Sequence, residues 1–403
     1  MLDKKKLEYA NDLFRMDNIE EILFLYLYNE NYKNMKYVLT GDKYKTKLPD
    51  WMCDREYGDF WVLNLFSGNS LYFFDSKTVR KMMKGNAINA LDICLGLDNQ
   101  AVSYLKGIFT EQPKQIPQDK KKYIDFLLRK EVNFDYTLYV WENMKKITDK
   151  KVATNVIDTI KACERFKNID VDTYKRTGVI RYIKNEDEIE RDAMQMYWLI
   201  ESGNKDKDIE VFWKKQQAAY LLLLEAIYIK FTSNRNAKHK FEVLFDFVNN
   251  ELGVVLEREM VICYHFFNND NKVTKFFKKV KDTNKSIIKD VKGMSWDLFH
   301  IRYMEFIMGM KLLEEVDYTI YSLLTFDRGM VECIEICPIK KFIIVENGFL
   351  PMFEYGVKDI VKENDLEKMY MQNLEKRHRI FEEADYDLMQ LELEEKVEKC
   401  IKS

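Results

Sequence analysis

Proline is scarce in this chain, five in 403 residues, and glycine numbers only fourteen. So few residues that interrupt regular structure exclude a collagen-like or low-complexity chain and favour helices. Paired cysteines are missing too: Cys53, Cys94, Cys163, Cys263, Cys333, Cys337 and Cys400 are odd in number and scattered, with no CxxC. That pattern excludes a disulfide framework and predicts reduced thiols in a cytoplasmic protein. Cys333 and Cys337 lie one helical turn apart, but only four histidines exist and none stands at ligand spacing, so no zinc site is expected. No apolar run approaches the roughly 20 residues that span a bilayer. The longest, Ala218 to Ile229, is interrupted by Glu225, and the opening stretch MLDKKKLEYANDLF is charged throughout. Neither a membrane span nor a secretory leader is therefore expected. Net charge is also nearly absent, at −3, so any nucleic-acid surface must be a local patch instead of a global basic field.

What the chain does have is apolar content of 47%, enough to fill a core in one large domain with insertions or in two ordinary ones. Residues 1 to about 87 read as a mixed α/β section. Ile19 to Leu27 predicts a helix, Asp59 to Leu65 and Ser70 to Phe74 predict strands, and Gly68-Asn69 between them predicts a hairpin turn. A basic helix follows Asp75. Ile93 to Leu97 is a clearer strand, ended by Asp98 and followed at once by a helix. From Asp119 the pattern is mainly helical, with a candidate loop at 201–209. Lys272 to Lys292 carries eight lysines against two aspartates. Ser295, ahead of Trp296 and Asp297, predicts a helix start. Tyr318 to Thr325 is rich in β-branched and aromatic residues and ends at Asp327-Arg328-Gly329. Phe342 to Val345 predicts a further strand of the same sheet, and a charged helical tail follows from about Val357.

Acids recur where elements end or begin. Asp98 and Asp327 close strands, Asp297 opens a helix, and Glu142 and Glu259 lie on helices between them. In open α/β sheets ligands collect at the C-terminal strand ends. Two carboxylates about 4 Å apart at an effective dielectric near 20 repel by roughly 4 kcal/mol. Raised pKa values or a hard divalent cation must relieve that repulsion. A Mg²⁺ held by such acids suits phosphodiester hydrolysis, and the lysine run, with Lys275, Lys278, Lys279 and Lys281, would hold a nucleic-acid backbone. His300, three residues beyond Asp297, is close enough on one helix face to assist. Asp75 competes for the place of Asp98. Read singly, each acid is also an ordinary cap, turn or ion-paired residue.

Three patches resemble the PIN-like nucleases. Leu97-Asp98-Asn99-Gln100-Ala101-Val102-Ser103-Tyr104-Leu105 is similar to the first acidic strand end of that family. Trp296-Asp297-Leu298 is similar to its acid at a helix start, and Leu324-Thr325-Phe326-Asp327-Arg328-Gly329-Met330 to its last strand. The chain is about three times the length of a minimal domain of that type, so the likeness spans residues 88 to 346. The resemblance implies an α/β/α three-layer core with a parallel sheet and a large helical insertion at about 150–290. An N-terminal α/β extension (1–87) and a helical C-terminal tail (347–403) would flank it. It further implies a Mg²⁺- or Mn²⁺-dependent nuclease, an RNase or a DNase, of a kind found in toxin or phage-defence settings; RNA is the expected substrate ahead of DNA. Asp98, Asp297 and Asp327 would be metal ligands, Glu142 a ligand or general base, and Thr325 a supporting hydroxyl, with Glu259 the other residue able to complete the metal site. The competing expectation is a non-catalytic scaffold whose helical insertion and acidic tail form a surface for a protein partner or a second copy.

Overall fold

The computed structural model describes residues 4–41, 46–53, 56–85, 89–203, 207–310, 315–346, 348–371 and 374–401. The protein is mixed α/β, mostly helical, with two sheets set among the helices. Among the described residues no helix is long and apolar enough to cross a membrane.

The five-stranded sheet, in the order β2-β4-β1-β8-β9, takes β1 (Lys36–Thr40), β2 (Thr46–Lys47) and β4 (Ser70–Phe74) from the front of the chain and β8 (Ile339–Val345) and β9 (Gly348–Phe353) from its far end. All of its pairings are antiparallel. Tyr37, Leu39, Phe74 and Ile343 form a small core with residues of the helices Lys4–Arg15 and Ile19–Tyr28.

The four-stranded sheet runs β3 (Trp61–Asn64), β7 (Tyr318–Thr325), β5 (Leu91–Leu97), β6 (Phe134–Asp135). β5 is parallel to both β6 and β7, while β3 lies antiparallel along the outer side of β7. All eight residues of β7 are buried, which is why its sequence is continuously apolar or small instead of alternating. Leu97 stands opposite Leu324, so the two parallel strands end together and Asp98 and Asp327 emerge at one edge. Gly96 is required on β5: an added Cβ would lie 2.5 Å from the Tyr321 hydroxyl, which crosses it to donate to Asp135 at 2.8 Å.

Several expectations are corrected. β3 and β4 do not form a hairpin about Gly68-Asn69, because the buried segment between them hooks onto the other end of the chain. Ile339 N donates to Leu65 O at 2.7 Å and Ser67 N to Ile339 O at 3.0 Å, and the chain passes from one sheet to the other. For the same reason Phe342 to Val345 belongs to the five-stranded sheet, and the sheet with the acids is mixed instead of wholly parallel. The boundary expected at 87/88 falls on residues outside those described and that at 346/347 abuts one, yet strand pairing on either side crosses both. Nor does Ser295 start a helix. The helix Ile287–Gly309 begins two turns earlier, because Ile287, Val291, Met294 and Leu298 extend its buried face upstream. The Ser295 hydroxyl donates back to Lys292 O at 2.8 Å and accepts from Gln216 at 3.1 Å. The loop expected at 201–209 narrows, since helices run to Gly203 and from Lys207; residues 204–206 lie outside those described.

Candidate active site: acids gathered at the strand ends

Asp98 follows β5 and caps the helix Asn99–Phe109. Its Oδ1 accepts from Ala101 N at 2.7 Å, and its Oδ2 accepts from the Thr325 hydroxyl and from Phe326 N at 3.3 Å. The Thr325 hydroxyl in turn accepts from Asp327 N at 2.9 Å, so one side chain at the end of β7 ties both strand-end acids together. Asp327 caps the helix Arg328–Glu335 through Gly329 N at 2.6 Å. Glu142, on the helix Thr137–Met144 just past β6, accepts from Asn99 Nδ2. Asp297 arrives from the middle of the long helix that packs against β7.

These four acids share one electrostatic site. Asp297 is held well above the usual carboxylate range, first by burial, then by the charges of Asp327, Glu142 and Asp98, with Lys279 opposing. Some of its surface remains open to solvent, as expected of a carboxylate on the floor of a cleft. Burial lifts Asp98 to about 6 against the hydrogen bonds from Thr325, Ala101 and Phe326, and Asp327 adds to the rise. Glu142 is also raised, by burial, with Lys146 opposing. Among the described residues no three acids, histidines or cysteines stand at the spacing of a preformed metal site, and both Asp98 oxygens already accept hydrogen bonds. The donor set is nevertheless one of hard carboxylate oxygens, which suits Mg²⁺ or Mn²⁺.

Glu259 is elsewhere. It is fully buried and clasped by Nε and Nη2 of Arg302, so it is an ion-pair partner and does not join the four acids. Asp75 is excluded from them as well: it caps the helix Ser76–Met83 and accepts from the Tyr318 hydroxyl, at the start of β7 instead of its end. His300 is a core residue at 1% exposure, and burial pushes its ring down to about 4, so it carries no charge for acid catalysis at neutral pH.

The lysine stretch does reach the site. Glu332, on the helix capped by Asp327, accepts from Lys275 N at 2.7 Å and Phe276 N at 3.0 Å, fixing the segment beside that helix. Lys275, Lys278, Lys279 and Lys281 are exposed, and Lys279 also pairs with Asp290 at 3.2 Å. A second approach was not foreseen from sequence. Tyr57, Phe60, Tyr104, Tyr123 and Phe326 line a cleft of about 240 Å³ together with Gln100, Lys120 and Lys122. Phe326 and Gln100 are neighbours of Asp327 and Asp98, and the Lys120 ammonium lies 3.9 Å over the Tyr104 ring. The available signal was the triple lysine Lys120-Lys121-Lys122 running into Tyr123. Comparison of the chain with protein-family models, with curated proteins and with solved structures finds no significant match in any of the three.

Proposed function

We propose that the acidic cluster is the active centre of a metal-dependent phosphodiesterase, a nuclease of PIN-like type, with RNA as the substrate. The observation that carries this reading is Asp297. A helix interior gains nothing from a carboxylate pressed against three others with one lysine opposing, and such strained acid clusters are characteristic of functional sites. Asp297 and Asp327 would hold a Mg²⁺ or Mn²⁺ directly, with Asp98 and Glu142 acting on it through water. A cation there supplies charge neutralisation at the phosphate and a water of lowered pKa.

The chain's own residues do the rest. Thr325 fixes Asp98 and the start of the Asp327 turn, so the acids are preorganised by the sheet. Glu142, held by Asn99 and raised by burial, is placed to accept a proton from attacking water. The aromatic cleft at Tyr104 and Phe326 suits a base of a single strand, because stacking on aromatic rings is sequence-tolerant and worth about 1–3 kcal/mol per base. Lys120, Lys122 and the lysines at 275–281 flank the acids and would neutralise the phosphates on either side. Stacking and local cations support a nucleic acid over a small phosphoester. The test is cleavage of a single-stranded RNA by the full chain with Mn²⁺. Asp297→Asn and Asp327→Asn should each lower the rate by at least about a hundredfold; undiminished cleavage by both variants would overturn the assignment.

A further inference from the structure

A second, larger cavity lies away from the strand-end acids, with a volume of about 890 Å³, near the top of the range for small-molecule sites. Its walls come from three helices and an edge strand. Lys215 belongs to the helix Lys207–Thr232, Glu257 and Arg258 to the helix Glu257–Phe267, Arg302, Glu305 and Phe306 to the helix Ile287–Gly309, and Phe349 and Phe353 to β9.

The charges in this cavity are incompletely matched. Arg302 gives Nε and Nη2 to Glu259, leaving its Nη1 hydrogens unclaimed among the described residues. Arg258 gives Nη2 to Glu305 at 3.1 Å and Nη1 to the Cys333 and Cys337 carbonyls, while its buried Nε has no acceptor among the described residues. Lys215 forms no ion pair or hydrogen bond with any described residue. Its side chain lines the cavity yet remains exposed to solvent; partial desolvation holds its ammonium below the ordinary lysine range, with Arg302 adding to the effect and Glu305 opposing it. Burial also lifts Glu257 to about 7, although Val357 N donates to it at 2.7 Å. An exposed lysine and an ion-paired arginine with Nη1 unclaimed among the described residues therefore stand beside an acid able to carry a proton, and Glu346 lines the same cavity. Aromatic rings, Phe306, Phe349 and Phe353, line the same cavity. The Phe349 ring stacks on Phe342 at 5.5 Å, and it sits where it does because Gly309 ends the long helix without a side chain: a Cβ there would fall 2.4 Å from the ring.

We propose that this cavity binds a nucleoside phosphate, with the phosphate on Lys215 and Arg302, the base against Phe306 and Phe349, and the sugar or base edge donating to Glu257 and Glu305. A phosphate alone would use only the cations, and an apolar ligand only the rings. The ring-and-cation combination fits a ligand that has both parts. The site is independent of the nuclease reading, although the helix bearing Arg302 and Glu305 also bears Asp297.

The experiment is calorimetric titration of the full chain with the four ribonucleoside 5′-monophosphates, and with adenosine and inorganic phosphate as part-ligands. At least one monophosphate should bind with a Kd below about 1 mM, more tightly than either part-ligand. Lys215→Glu should weaken it by about tenfold or more, as loss of a charge-assisted contact does, and Phe349→Ala should weaken it through the base. Lys215 is exposed and has no partner among the described residues, so its variant should keep the wild-type melting temperature. Asp297→Asn should leave the affinity unchanged, which separates this cavity from the acidic cluster. Absence of binding by all four, binding unaltered in both cavity variants, or inorganic phosphate binding as tightly as the nucleotides would overturn the proposal.

Discussion

At the scale of single residues, the acids sort into those that stabilise the fold and those that oppose it. Asp297 is of the second kind. Its folded-state pKa lies well above 3.8 because of burial and its acidic neighbours. The favourable protonated form is therefore fully present only below the unfolded value, and its stability is lost as pH rises toward the folded pKa. Asp98, raised to about 6, loses its share between about pH 4 and 6 by the same reasoning. Asp297→Asn, neutral at every pH, should consequently melt higher than the wild type at pH 8, by on the order of 1 kcal/mol, with the gap closing toward pH 5. Melting curves of both proteins across that range check this, and a gap that is absent or widens on acidification contradicts it. The strand-end positions of Asp98 and Asp327 were legible in sequence because an apolar strand pattern gives way there to Asp and then to a helical pattern, although each acid alone reads equally well as a cap. Asp297 was found for a mistaken local reason: Gly293-Met294-Ser295 imitates a helix start, whereas the apolar spacing continues through it.

At the scale of elements, the long helix Ile287–Gly309 carries one charged residue into the acidic cluster and two others into the second cavity. Arg302 clasps Glu259, and Glu305 pairs with Arg258, so this helix is pinned to the helix Glu257–Phe267 by buried ion pairs. Glu259→Gln would leave Arg302 with an uncompensated charge, and breaking a buried pair in this way costs about 3–5 kcal/mol. The expected outcome is a large fall in melting temperature, with metal dependence of any nuclease activity retained. A variant of wild-type stability that needs more metal would return Glu259 to the active site. Nothing local separates Glu259 from Glu142 in the sequence; both are helix acids among apolar neighbours. The distinction rests on Arg302, 43 residues away, and on Asn99 for Glu142, 43 residues in the other direction.

At the scale of the whole molecule, the two ends of the chain are structural partners. β1 pairs with both β4 and β8, β3 pairs with β7, and Leu65 to Ser67 hooks onto Ile339. Lys341 adds a further tie: buried at 1% exposure, its ammonium donates to Phe14 O at 2.7 Å and Met16 O at 2.9 Å and pairs with Asp17. A fragment of residues 88–346 would lose β1 to β4 and β9, leaving β7 without its antiparallel neighbour and β8 without either of its own. It should fail to give a cooperative melting transition where the full chain gives one; a cooperatively folding fragment would restore the simpler division into core and extension. Individual strands were visible from composition, but their partition between two sheets was not, because each decisive partner lies far along the chain and local patterning carries no record of it.

The hydroxyl bridge at the end of β7 also fixes when the acidic centre can exist. Thr325 and Asp98 are 227 positions apart, and β7 is one of the two interior strands of its sheet, so during translation Asp98 must wait for those 227 residues before its partners on β7 arrive. An unfinished chain, released early or stalled, holds the first acid without the last. If the centre cleaves RNA, a ribosome making this protein is shielded from it until Thr325 has emerged.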